Sequence, residues 1–170
     1  MKEIYFAGGC FWGMEHFFKQ IKGVIHTKVG FANGNTDNPS YEEVYTDTTG
    51  YAETVKIQYD ENKVSLAFLL DMFFHAINPT ILNKQGNDEG TRYRTGVYFS
   101  NNEDKQKIVE IFLIKQKEYD MPIVTEIEPL KNFYPASEYH QNYLDKHPYG
   151  YCHLPSELFL WVKKQKDETK

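Results

Sequence analysis

The densest chemistry in the chain lies near its amino end, where Gly8 and Gly9 lead into Cys10, Phe11 and Trp12. A thiol is nucleophilic only as its thiolate, and a helix N-terminus favours that anion through free N–H groups and the positive end of the dipole. Lys2 to Ala7 reads as a strand, and Met14, Phe17, Phe18 and Ile21 then recur at helical spacing, so Cys10 falls at a strand-to-helix junction. The junction predicts an ionised sulfur. An isolated cysteine is more often a small buried hydrophobe. Here two glycines suit a backbone pressed close to a ligand, and two aromatics can line an apolar slot beside the sulfur.

The rest of the chain must position that group. Val24 to Phe31 is a second strand. Ser40 and Glu43 form a capping box that places Tyr41 in the first turn of a short helix. Glu53 to Tyr59 alternates as a strand does, and Ser65 caps a helix with the apolar face Leu66, Leu69, Leu70, Phe73, Phe74 and Ile77. Residues 78–93 carry Pro79, Gly86 and Gly90 and resolve into no regular element; a loop of that length is more often functional than idle. A strand over Thr95 to Ser100, a helix over Glu103 to Tyr119 and an edge strand over Ile123 to Ile127 follow. This order predicts an α+β fold: a ferredoxin-like split βαβ two-layer sandwich, with helices packed on a mixed or antiparallel sheet.

With 170 residues, 41% hydrophobic and 16% aromatic, the chain has material for one core, and no repeat or linker divides residues 1–170. A segment from about residue 148 carries the second cysteine, the Lys-rich end after Val162 is expected to fray, and the tail Ser156 to Lys170 looks amphipathic through Leu158, Phe159, Leu160 and Trp161. A net charge of -5 argues against nucleic acid, whose phosphates call for a basic surface. No apolar run is long enough for a membrane span or a secretory signal, so a soluble, cytoplasmic protein is expected. Cys10 and Cys152, the two cysteines, form neither a disulfide framework nor a Cys-x-x-Cys pair and should rest reduced rather than bonded to each other.

Gly9-Cys10-Phe11-Trp12-Gly13 resembles the signature of the A-type peptide methionine sulfoxide reductases, and further matching blocks follow in that family's order. They are Asn38 to Val44, Thr49 to Glu53, Gln85 to Arg94, Thr125 to Ile127, and Phe133 to Ala136 with His140-Gln141. The resemblance covers the chain from about Ile4 to Cys152. The sequence departs from it at Gly30-Phe31-Ala32, where Gly-Tyr is common, at Tyr51 in place of histidine, and at Asn78 in place of aspartate.

The resemblance implies a repair enzyme that reduces methionine S-sulfoxide, free or in oxidised proteins, with no cofactor and no metal. It makes Cys10 the nucleophile and Glu53 the proton donor. A sulfoxide is a poor electrophile until its oxygen is protonated, and a carboxyl buried among aromatic rings can hold its proton at neutral pH. As a residue type, Glu53 reads equally well as an exposed strand glutamate. The match also assigns Tyr41 and Tyr93 to the sulfoxide oxygen, although any of 13 tyrosines could be a core residue. Phe11 and Trp12 would hold the S-methyl group and Asp88 would bind substrate, a role compatible with capping the Gly86–Gly90 turn. Attack would leave Cys10 as a sulfenic acid, Cys152 would resolve it in a one-step relay, and thioredoxin would reduce the disulfide.

Two other assignments use the same residue types. Cys10 could pair with His140 as a thiol hydrolase or transferase. His140, His147, Cys152 and His153 could hold a structural zinc ion, at a spacing that fits no usual finger or knuckle.

Overall fold

A computed structural model describes residues 1–170. Chain order runs β1 (Lys2–Gly8), α1 (Phe11–Lys19), β2 (Val24–Ala32), α2 (Tyr41–Tyr45), β3 (Ala52–Tyr59) and α3 (Leu66–Ala76). A small hairpin of β4 (Lys84–Gln85) and β5 (Asp88–Glu89) follows, then β6 (Thr95–Phe99), α4 (Asn102–Gln116), β7 (Glu126–Pro129) and β8 (Phe133–Pro135). Two short helices, α5 (Tyr143–Lys146) and α6 (Ser156–Lys163), close the chain.

Six strands form one sheet in the order β7-β6-β1-β3-β2-β8. β3 lies between β1 and β2 and is antiparallel to both, β6 and β8 join antiparallel, and β7 joins parallel to β6. The fold is therefore α+β with a mixed sheet.

The strand period of two sends alternate residues to opposite faces. Ile4 and Phe6 of β1 and Val55, Ile57 and Tyr59 of β3 face the main core, where α1 contributes Met14, Phe17 and Phe18 and α3 contributes Leu69, Leu70 and Phe73. Phe6 is held between the helices, 4.7 Å from Phe18 and 4.8 Å from Phe73 by ring centroids. Burying each such ring is worth roughly 1.5–3 kcal/mol. The other face carries Tyr5, Ala7, Ala32, Ala52 and Tyr98 under Leu130 and Phe133. Glu53 shares the parity of Val55, so the same alternation turns its carboxyl toward α1.

Several expectations change in detail. The edge strand begins at Glu126, because the Ile123 and Val124 N–H groups donate instead to the Gln116 side chain and the Pro79 carbonyl, each at 2.8 Å. The 78–93 stretch contains the β4–β5 hairpin, braced by Gln85, whose side-chain amide bonds both the N–H and the carbonyl of Asn78 at 2.8 and 2.9 Å. The end of the chain is tied down: the Asp167 carboxylate accepts the Ser65 N–H at 2.8 Å, at the cap of α3. No helix is long and apolar enough to cross a membrane.

Candidate active site

The turn between β1 and α1 runs through a left-handed glycine. Gly9 has φ +87, and a Cβ there would lie 2.9 Å from the Gln85 Cβ and 3.0 Å from His153 Nε2. Glycine is thus required both for the dihedral and for the close approach of the hairpin and the C-terminal segment. Cys10 follows as the N-cap of α1, with 7% of its surface exposed.

Glu53 is brought to the same point from β3, where it pairs with Phe31 of β2. Its carboxylate accepts the Phe11 N–H at 3.1 Å, one of the donors left free at the helix start. Only 1% of Glu53 is exposed. Burial pushes its carboxyl up to about 8, against the lowering influence of the Phe11 N–H and the Arg92 guanidinium. At neutral pH it is a protonated acid.

Cys10 departs from expectation. Burial pushes its thiol well above the usual value, the charge of Glu53 adds to the rise, and the Trp12 N–H opposes it. Loss of water outweighs the helix terminus, so the resting sulfur is a thiol and the ionised sulfur predicted from sequence is corrected. Cys10 and Glu53 are electrostatic neighbours.

Tyr41, in the first turn of α2, and Tyr93, at the end of a short 3-10 turn over Thr91–Tyr93, approach the pair. Both hydroxyls are raised, first by burial and then by the charge of Glu53, and therefore remain protonated donors. Arg92 is a residue that sequence reasoning passed over, although it lies inside a quoted block. Its guanidinium sits 4.2 Å from the Tyr45 ring centroid and 4.3 Å from that of Tyr93, and it pairs with Asp47 at 2.5 Å.

Beside this centre lies an aromatic depression of about 760 Å³, lined by Trp12, Phe31, Tyr41, Ala136, Tyr139 and His140 among others. Trp12 forms part of its wall, stacks on Tyr143 at 3.6 Å and donates its indole N–H to His140 Nδ1 at 3.1 Å. Phe11 is only 1% exposed and packs on Phe31, so it backs the depression from within the core.

Cys152 lies over the first turn of α1, its sulfur 3.0 Å from where a Cβ would project at Gly13. Glycine at that position lets the C-terminal segment approach the helix. Burial raises the Cys152 thiol as well, and both cysteines are free. Asp88, on β5, accepts the Tyr151 hydroxyl at 2.8 Å and faces His153, so it touches both residues flanking Cys152.

The rival arrangements do not assemble. His140 Nδ1 accepts the Trp12 indole N–H, its ring packs among Phe11, Trp12 and Tyr41, and no hydrogen bond joins it to the Cys10 thiol. His140, His147, Cys152 and His153 do not converge as a set of metal ligands.

Comparison with known proteins follows the same lines. The family model described as "Peptide methionine sulfoxide reductase" matches residues 2–170. A peptide methionine sulfoxide reductase MsrA of Clostridium acetobutylicum is 59% identical over 158 residues, covering 93% of this chain and 98% of that protein. One from Mycoplasma genitalium is 53% identical over 154 residues, covering 91% and 98%. Among solved structures, reduced Mxr1 from Saccharomyces cerevisiae overlays with a TM-score of 0.85 at 41% identity, over 89% of this chain and 88% of that one. The same yeast protein gives 0.67 in an unusual oxidised form, at 38% identity over 89% and 84%. In complex with Trx2 it gives 0.57, at 28% identity over 84% of each chain. With a buried acid and a cysteine at one helix start, and near-complete coverage by these relatives, the chain belongs to the peptide methionine sulfoxide reductase family, A type, and is an oxidoreductase acting on methionine sulfoxide.

Proposed function

We propose that Cys10 reduces methionine S-sulfoxide, free or in oxidised proteins, through a sulfenic acid that Cys152 resolves and thioredoxin resets. The observation that carries this reading is the Glu53 carboxyl buried at the α1 start beside Cys10, where burial favours its protonated form. The sulfoxide oxygen would meet Glu53, Tyr41 and Tyr93, and Trp12 would flank the S-methyl group with Phe11 behind it. Asp88 would hold the substrate side of the hairpin.

In the chemical step the Cys10 sulfur attacks the sulfoxide sulfur while Glu53 delivers its proton to the oxygen. The Cys10 proton replaces the one Glu53 gives up. The protonated oxygen then migrates to the Cys10 sulfur: the substrate sulfur–oxygen bond and the transient sulfur–sulfur bond break, a Cys10 sulfur–oxygen bond forms, methionine leaves with its sulfur lone pair restored, and Cys10 is left as S–OH. Two electrons have passed from Cys10 to the substrate. The positive end of the S–O dipole, brought against a buried thiol, supplies the stabilisation that the resting site withholds from the thiolate.

Cys152 then condenses with the sulfenic acid, with loss of water, in one relay step. The yeast relative solved with Trx2 supports thioredoxin as the dithiol that reopens the bond. Two resting thiols suit a reducing cytoplasm, and the order β6-β1-β3-β2 supports reading the centre of the single domain as ferredoxin-like. A thioredoxin-coupled assay on both separated epimers of a methionine sulfoxide peptide tests the proposal. Turnover of the S epimer alone is expected; turnover of neither, or of the R epimer alone, overturns it.

A further inference from the structure

The C-terminal segment carries a buried group that the reductive step does not use. His153 Nε2 lies 3.2 Å from the Gly8 carbonyl oxygen. A carbonyl only accepts, so Nε2 carries the ring proton and Nδ1 of the neutral ring is a bare lone pair. That nitrogen faces Asp88 Oδ2 at 3.8 Å, with the two side chains 2% and 12% exposed. Neither atom has a hydrogen-bond donor from the protein. Two acceptors confront each other across a closed gap, an arrangement one proton short of a charge-assisted pair. Burial holds the ring below its usual value against the pull of Asp88 and Gly8, so it rests neutral.

The proton that could fill the gap is close by. Cys152 Sγ and His153 Nδ1 lie 3.0 and 3.2 Å from the same point, where a Cβ would project at Gly13. The groups facing the ring are Asp88 from β5, the uncharged Gln85 from β4, the Gly8 carbonyl from β1, and Cys152 beside it. We infer that His153, backed by Asp88, is the general base that takes the Cys152 proton as this sulfur attacks the Cys10 sulfenic acid. The inference rests on Cys152 being the resolving thiol.

The step balances. The S–H bond of Cys152 breaks and its proton passes to Nδ1. The Cys152 sulfur supplies the electron pair of the new S–S bond, and the S–O pair of Cys10 leaves with the oxygen. That oxygen takes the proton back from His153 and departs as water.

Rapid-quench measurement on H153Q tests the inference, with the burst of methionine that precedes resolution as the internal reference. Disulfide formation is expected to slow by about 10²-fold or more at pH 6–7, the scale of a positioned base, while sulfenic acid trappable by dimedone accumulates. The deficit should shrink as pH rises, because the variant depends on free thiolate while the wild type does not. In H153A, added imidazole should restore the rate. Wild-type disulfide formation in both variants overturns the inference. So does an equal slowing at every pH with no response to imidazole, the mark of a merely displaced segment. Absence of the methionine burst in the wild-type protein would instead overturn the reductase reading itself.

Discussion

Replacing Glu53 with glutamine separates what the residue does for the reaction from what it costs the fold. Glutamine keeps the size and the carbonyl oxygen that accepts the Phe11 N–H, but it has no acidic proton and no charge. Folding raises the carboxyl from 4.5 to about 8, so the native state holds the proton more tightly than the unfolded chain. Below pH 4.5 both states are protonated and nothing is lost. Between 4.5 and 8 only the unfolded chain releases the proton, and stability falls by about 1.36 kcal/mol per pH unit, or about 3 kcal/mol by pH 7. E53Q escapes that loss. Urea unfolding across pH 4 to 8 should therefore show the variant gaining on the wild type by about 3 kcal/mol as pH rises to 7. Single-turnover methionine release should meanwhile fall by about 10² to 10⁴-fold. In the wild type that rate should decline as pH climbs through about 8 and Glu53 ionises. Parallel stability curves would refute the buried acid, and a rate within a few-fold of wild type would refute its role as donor.

The two cysteines give sharper outcomes. C10S removes the sulfur proposed to accept oxygen and should release no methionine above background; measurable turnover would mean that the nucleophile is another group. C152S should release about one methionine per enzyme and then stall with thioredoxin, because the sulfenic acid has no partner thiol. Sustained turnover of C152S with thioredoxin at the wild-type rate would remove Cys152 from the relay.

Local signals were legible because they are written in neighbouring residues. The Ser40–Glu43 capping box forms both of its hydrogen bonds, at 3.1 and 2.9 Å, and the helical spacing after Cys10 packs Met14, Phe17 and Phe18 into the core. The placement of Glu53 was half legible, since alternation sets it on the face of Val55 but does not say which face is buried. The state of Cys10 was not legible at all. Cys10 is buried among groups that include Glu53, Asp88 and Cys152, residues far apart in sequence, and a helix-terminus argument contains none of them. His153 was hidden for the same reason: its meaning comes from Asp88 and Gly8, both distant in the chain.

Burial of this site serves one partner at the expense of the other. Were Glu53 exposed, near its ordinary 4.5, only about one molecule in 300 would hold the proton at pH 7, and the oxygen would lack its acid. Sealing the site corrects that but raises the Cys10 thiol too, so a free thiolate and a free acid cannot both be abundant in the resting protein. The two demands become compatible only if the proton moves when substrate is present. A protonated Glu53 carries no charge, which removes the repulsion that ranks second among the causes of the Cys10 shift. A bound sulfoxide dipole then opposes the first cause, desolvation. On the proposed mechanism, reactivity would then depend on substrate in the pocket.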